Sequence, residues 1–152
     1  MSKKKIESIM RDFIETIEKG DVEKALTFLA EDADYIRPEG IFKGKEELKH
    51  YLRWSAQISP NPKIKDVGIG IMVKGSKAVY EHIVEVTYEG AKYEALTLCV
   101  YEFSDEKIQH LRTVVDRLSI IKQVVESASG VKAWIGRRVV NYIVKEAEKG
   151  LH

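Results

Sequence analysis

Residues 80–103 read YEHIVEVTYEGAKYEALTLCVYEF, and the order of residue types in this stretch decides the fold. Apolar and polar side chains alternate on both sides of Glu89-Gly90, which is the signature of two strands joined by a tight turn. A two-residue loop pairs even-numbered residues of the first strand with odd-numbered residues of the second. One face then carries Tyr80, His82, Val84, Val86 and Tyr88 beside Tyr93, Ala95, Thr97, Cys99 and Tyr101. The other carries Ile83, Leu96, Leu98 and Val100, edged by Glu81, Glu85, Glu94 and Glu102.

Working outward, KGSK (74–77) and FSDEKI (103–108) are further hairpin signals, so four strands form an antiparallel meander. The same parity argument adds Val67, Ile69, Ile71 and Val73 to the first face. A two- or four-residue loop at FSDEKI also adds His110, Arg112, Val114 and Asp116. A three- or five-residue loop would instead turn Leu111, Thr113 and Val115 that way. The first face is apolar and aromatic with a few polar groups, which suits a ligand cavity. The second has an apolar centre and a charged rim, as subunit interfaces do.

Before the meander the period is helical. Ile6, Met10, Phe13, Ile14 and Ile17 predict a helix over residues 4–19, ended by Gly20. Asp21 can cap a second helix carrying Val22, Ala25, Leu26 and Leu29. ADYIRPEG (33–40) reads as a short strand, and GKEELKHYLRWSAQI (44–58) as a third helix with Leu48, Tyr51, Leu52 and Ser55 on one side. After Asp116 the chain returns to helix in two pieces, LSIIKQVVES (118–127) and VKAWIGRRVVNYIVKEAEKG (131–150), split by ASG. The last helix carries Val131, Ile135, Val139, Ile143 and Ala147 as an apolar stripe.

The 152 residues suit one core, and 44 % hydrophobic with 32 % charged residues is a globular composition. A formal net charge of +1 gives no general pull toward nucleic acid. No apolar run reaches membrane-spanning length, and the lysine-rich start turns amphipathic rather than into the apolar block of a signal peptide. The chain therefore reads as cytoplasmic, with neither nucleic acid nor membrane as partner. Cys99 is the single cysteine, so no internal disulfide forms. His50, His82, His110 and His152 lack metal-ligand spacing, and no metal or cofactor is expected.

Three segments carry a resemblance: FIETIEKGDVEKALTFLAEDADYIRPEG (13–40), FKGKEELKHYL (42–52) and KIQHLRTVVDRLSIIKQV (107–124). Over roughly residues 4–125 the sequence resembles the SnoaL-like polyketide cyclase family of the nuclear-transport-factor-2-like superfamily. In that family a strand ending in Asp leads into a helix carrying Leu and then Gln-Leu; Asp116, Leu118 and Gln123-Val124 stand in those places. The resemblance implies an α+β fold: a curved antiparallel sheet wrapped around N-terminal helices, a cystatin-like cone. Extra C-terminal helices follow, so that residues 1–128 form the cone and 129–152 its extension. It also implies a homodimer through the sheet and metal-free acid–base chemistry of the isomerase, cyclase, dehydratase or epoxide-hydrolase kind. In the cyclases the strand-end aspartate works with a histidine on the preceding strand, a position that falls at Leu96 here.

The expected ligand is a small, largely apolar organic molecule. Asp116 is the candidate acid or base, though Asp is equally suited to capping the helix beside it. His82 is the candidate second proton carrier, or a satisfied histidine of a mixed core. Arg112 would anchor a substrate carboxylate, or pair with Asp116 or a nearby glutamate. Tyr35, Arg37 and Trp54 are placed at the rim, and Thr97 and Tyr101 on the wall. The other reading of the same residues is a non-catalytic ligand-binding or dimerisation module.

Overall fold

The computed structural model describes residues 1–88 and 91–149. The side chains of Tyr88 and Ala147, and the whole of His152, lie outside the described residues.

Helix α1 (Lys3–Lys19) starts at Ser2, whose hydroxyl accepts from the Lys5 amide at 3.2 Å. It ends at Gly20, whose φ of 67° is left-handed, a conformation that glycine adopts without the strain a β-carbon brings. Its buried face is Ile6, Met10, Phe13 and Ile14, as the spacing predicts. Helix α2 (Val22–Thr27) is short, because Leu29 belongs to the next strand, not to the helix. Strand β1 (Leu29–Arg37) turns into an unexpected partner, β2 (Gly40–Lys43). Helix α3 (Gly44–Ile58) buries Leu48, Tyr51 and Leu52.

The meander follows as β3 (Lys63–Lys74), β4 (Lys77–Tyr88), β5 (Ala91–Ser104) and β6 (Lys107–Val115). The sheet order is β2-β1-β6-β5-β4-β3, with β1 parallel to β6 and every other pair antiparallel. Helices α1 to α3 and the inner face of the sheet share one hydrophobic core. This is the expected α+β cone with its helices wrapped by the sheet.

The β4–β5 register runs unbroken from Lys77↔Glu102 to Tyr88↔Ala91, so its two faces are those the sequence predicts. Two other strands depart from simple parity. In β3 the register shifts between Asp66 and Ile71, where Gly68 and Gly70 take positive φ of 53° and 58°. That bulge keeps Ile71 and Val73 opposite Tyr80 and Ala78 but leaves Ile69 57 % exposed. Asp66 and Ile64, not Val67 and Ile69, then pair with the inward residues His82 and Val84.

In β6 the loop is two residues long, with Asp105 and Glu106 both at positive φ, as a type I′ turn requires. The register then moves from Phe103↔Ile108 to Glu102↔His110, leaving Gln109 as an extra residue. The bulge reverses the faces. Leu111 and Thr113 are buried inward, whereas His110, Arg112 and Val114 point outward and are exposed.

Helix α4 (Arg117–Ser127) packs on β5, and α5 (Gly130–Lys149) packs on α4. The buried side of α5 is Ala133 and Val140. Gly136 sits so close to α4 that a β-carbon there would lie 2.6 Å from Val125 Cγ2. The anticipated stripe of Val131, Ile135, Val139 and Ile143 is exposed instead, because α5 meets α4 through its small residues. Among the described residues no helix is long and apolar enough to cross a membrane.

Candidate functional site

The cone holds a cavity of about 270 Å³. Its apolar wall comes from Val84 and Val86 on β4, Ala95 on β5, Leu111 and Val115 on β6, and Ile14 and Ile17 on α1. It reaches the exposed turn at Gly20 and Asp21, beside the end of α3. Of the sequence-predicted site residues, Tyr35, Arg37, His82, Thr97 and Tyr101 line this cavity.

His82 is 4 % exposed and stacks on Tyr80, with ring centroids 4.2 Å apart at 18°. Its Nδ1 lies 3.3 Å from the Tyr80 carbonyl oxygen. A carbonyl only accepts, so Nδ1 carries the hydrogen and Nε2 keeps its lone pair. Among the described residues Nε2 has no hydrogen-bond partner, and no fully buried side-chain nitrogen or oxygen is left unpaired. Nε2 therefore reaches open space, on a side chain that lines the cavity. Burial pushes the His82 pKa below its ordinary value, so the ring is neutral near pH 7.

Behind His82 stands a group the sequence reading missed. The Tyr80 hydroxyl donates to Asp66 Oδ1 at 2.6 Å, and Arg11 Nη1 donates to the same oxygen at 2.7 Å. Arg11 Nη2 also meets Asp66 Oδ2. Hydrogen bonding from Arg11 holds the Asp66 carboxyl down at about 2, against the cost of its partial burial. Burial and then Asp66 push the Tyr80 phenol up. The paired glycines of β3 were the available signal, since glycines inside a strand mark bulges that change parity.

A second polar group lies toward β1. Arg37 Nη1 donates to the Tyr35 hydroxyl at 3.0 Å, that hydroxyl lies 3.1 Å from Thr113 Oγ1, and Thr113 Oγ1 lies 3.1 Å from Cys99 Sγ. Arg37 Nε reaches Glu39 Oε2 at 3.4 Å, and Arg117 Nη2 holds the other Glu39 oxygen at 2.6 Å. The Arg37 guanidinium also stands 5.4 Å and 5.7 Å from the Tyr35 and Tyr51 ring centroids. Burial raises the Tyr35 and Cys99 pKa values, so both stay protonated.

Three expected site residues lie elsewhere. Asp116 is exposed and caps α4, its Oδ1 accepting from the Ser119 amide at 3.0 Å. Arg112 sits on the outer face and pairs with Glu102 at 2.7 Å, because the Gln109 bulge turned it outward. Trp54 is 46 % exposed; its ring meets Tyr51 at 5.8 Å and does not line the cavity. Among the described residues no cluster of three or more His, Cys, Asp or Glu side chains is placed to hold a metal ion.

Comparison with known proteins places this architecture. A protein described as a SnoaL-like polyketide cyclase from Shewanella putrefaciens superposes with a TM-score of 0.73 at 10 % identity, over 80 % of this chain and 86 % of that one. An NTF2-like protein of unknown function from Burkholderia pseudomallei gives 0.71 at 18 % identity, over 84 % and 100 %. A hypothetical protein with a ketosteroid isomerase-like fold from Catenulispora acidiphila, solved in complex with trimethylamine, gives 0.68 at 13 % identity, over 76 % and 90 %. At these identities the likeness is one of fold. No curated protein matches the chain. The SnoaL-like domain model matches residues 10–111, two thirds of the sequence, and the chain belongs to the SnoaL-like family.

Proposed function

We propose that the chain binds a small, largely apolar organic molecule in the cone and moves a proton on it through His82. The observation that carries this reading is the 3.3 Å contact between His82 Nδ1 and the Tyr80 carbonyl oxygen. The Tyr80 carbonyl fixes Nδ1 as donor, and the free Nε2 lone pair belongs to a side chain that lines an apolar cavity. A neutral imidazole in that position accepts a proton from a ligand carbon or hydroxyl and returns it to another atom of the same ligand. Isomerisation or cyclisation needs no more than this one shuttle. The carboxylate that the sequence offered as partner, Asp116, is occupied as a cap.

One observation favours a purely binding role. The only carboxylate on the described wall is Asp21, an exposed cap whose Oδ1 accepts from the Lys24 amide at 3.0 Å. Two measurements separate the readings. The neutral fluorophore N-phenyl-1-naphthylamine should bind one per chain, and Ala95→Phe, which fills the wall, should abolish binding while the chain stays folded by circular dichroism. Absence of binding to the parent chain overturns both readings.

The second measurement is pH-dependent stability. The folded pKa of His82 lies below the unfolded value, so the unfolded chain takes up its proton first as pH falls. Its contribution is full above the ordinary histidine pKa and declines below it, until the lowered pKa is passed. The parent should lose more stability than His82→Gln between pH 7.5 and 5.5. An equal loss in the two proteins removes the neutral, buried imidazole on which proton transfer depends.

We also propose a second copy of the chain as the partner of the outer sheet face. Leu96, Leu98 and Val114 are exposed at its centre, and Lys77, Arg112, Glu94 and Glu102 supply both charges at its rim. Such a face complements itself across a two-fold axis. Sedimentation of the parent as a monomer at high concentration would sink this assignment, and Leu98→Lys should shift a dimer toward monomer.

A further inference from the structure

We infer that the ligand of the cone is an organic carboxylate whose charged end is held by Arg37. This rests on the binding reading above and adds the ligand's chemical class.

The cavity has an uneven charge. Among the described lining residues only Arg37 and Asp21 are ionic at neutral pH, and Asp21 lies at the exposed turn. Arg37 is the inner one, with its side chain 21 % exposed. Its countercharge is shared. Glu39 is 3.4 Å from Arg37 and 2.6 Å from Arg117, so two guanidinium groups divide one carboxylate and the cluster keeps one net positive charge. A positive charge beside an apolar cavity is less screened than one on the open surface and favours an anionic guest.

Its donors point to the shape of that anion. A guanidinium has five N–H groups. Nε–H serves Glu39 and one Nη1–H serves Tyr35, which leaves three without a partner among the described residues. Among the described residues no fully buried side-chain nitrogen lacks a partner, so Arg37 Nη2, which has none, reaches open space beside the second Nη1–H. Two parallel N–H groups fit the two oxygens of a carboxylate and fit a single hydroxyl or ketone oxygen less well.

The aromatic rings at the Arg37 end disfavour the opposite choice. A cavity rich in tyrosine could cage an ammonium ion by cation–π attraction. Here the Tyr35 and Tyr51 rings already hold Arg37, at 5.4 and 5.7 Å. A second cation at that end would meet like charge. The ligand's far end falls toward His82, since β1 and β4 are separated by β6 and β5. Three strand spacings are about 14 Å measured along the curved sheet. The anchored carboxylate and the carbon facing the imidazole are therefore at opposite ends of one compact apolar body.

Three matched probes test this by displacing bound N-phenyl-1-naphthylamine: phenylacetate, phenylacetamide and benzyltrimethylammonium. Phenylacetate should displace the dye at about tenfold or more lower concentration than the amide, as a charge-assisted pair against a neutral one implies. The ammonium should be the poorest. Arg37→Met should erase the preference for carboxylate over amide. Arg37→Lys, which keeps charge without the fork, should retain part of it and serves if the methionine variant melts early. Equal displacement by acid and amide overturns the inference, as does tighter binding of the ammonium, no displacement by any probe, or a preference that survives Arg37→Met. In each of these cases dye binding itself still stands or falls separately, so the broader binding reading is judged on its own.

Discussion

The two hairpins that share β5 have turns of the same length and reach opposite results. Between β4 and β5, pairing runs in one register from Tyr88↔Ala91 to Lys77↔Glu102, and every second residue from Tyr80 to Val86 and from Tyr93 to Tyr101 lines the cavity. Between β5 and β6, pairing starts at Ser104↔Lys107 and Phe103↔Ile108, then skips Gln109. From there on the faces are exchanged. Turn chemistry sets where a strand begins, but a single unpaired residue decides which side chains enter the core. The Gln109 side chain has a use of its own: its Nε2 donates to Asp32 Oδ1 at 3.0 Å, tying the bulge to β1.

Leu111→Asp is the direct way to break this contrast, and it should have the largest effect. With Gln109 paired like its neighbours, Leu111 would face outward and tolerate a charge; with Gln109 skipped, it faces the core. Leu111 is 1 % exposed, and burying an unpaired carboxylate there would cost several kcal/mol on top of the lost leucine. The variant should show no cooperative thermal transition by circular dichroism. If it melts within a few degrees of the parent, the bulge does not set the face of β6.

Thr113→Val sharpens the comparison, because Thr113 is a polar group that only the bulge brings inside. The Tyr35 hydroxyl accepts from Arg37 and has its hydrogen left for Thr113 Oγ1. Valine keeps the shape and removes the acceptor. Leaving that hydroxyl unsatisfied should cost about 2 kcal/mol, read from urea denaturation with an unchanged slope. A change under about 0.5 kcal/mol would mean that the hydroxyl chain from Arg37 to Cys99 contributes nothing net to stability.

The same contrast explains what was legible in the sequence. Helical periodicity gave α1 and α3 nearly to the residue, and alternation gave the inward faces of β4 and β5, hence His82, Thr97 and Tyr101. Those signals repeat over many residues, so one exception does not spoil them. Parity across a bulge rests on one residue. In β3 the glycines at 68 and 70 announced the shift, and with it the inward register of Asp66. In β6 no glycine or proline marks Gln109, and simple parity puts Arg112 on the face opposite to the one it occupies. Tyr35 and Arg37 were found through the family resemblance, whereas their link to Thr113 is a contact between residues 78 apart that only the folded chain brings together.

Asp116 closes β6, past the point where strand parity governs direction, and there the helix decides. The first turn of α4 has amide groups without intrahelical acceptors, and Asp116 Oδ1 takes the Ser119 amide at 3.0 Å while its own amide donates to the Leu96 carbonyl at 3.0 Å. Asp116→Ala should therefore cost about 1 kcal/mol, the usual loss for an exposed cap. Asp116→Asn, which keeps an accepting oxygen, should cost much less. Neither should alter displacement of the dye by phenylacetate, because the carboxylate lies outside the cavity wall. A catalytic or ligand-holding aspartate would behave the other way: asparagine would preserve stability and still weaken binding or turnover. Weakened phenylacetate binding in a fully stable Asp116→Asn protein would return Asp116 to the site and make the strand end, rather than the tautomer of His82, the place to look for chemistry.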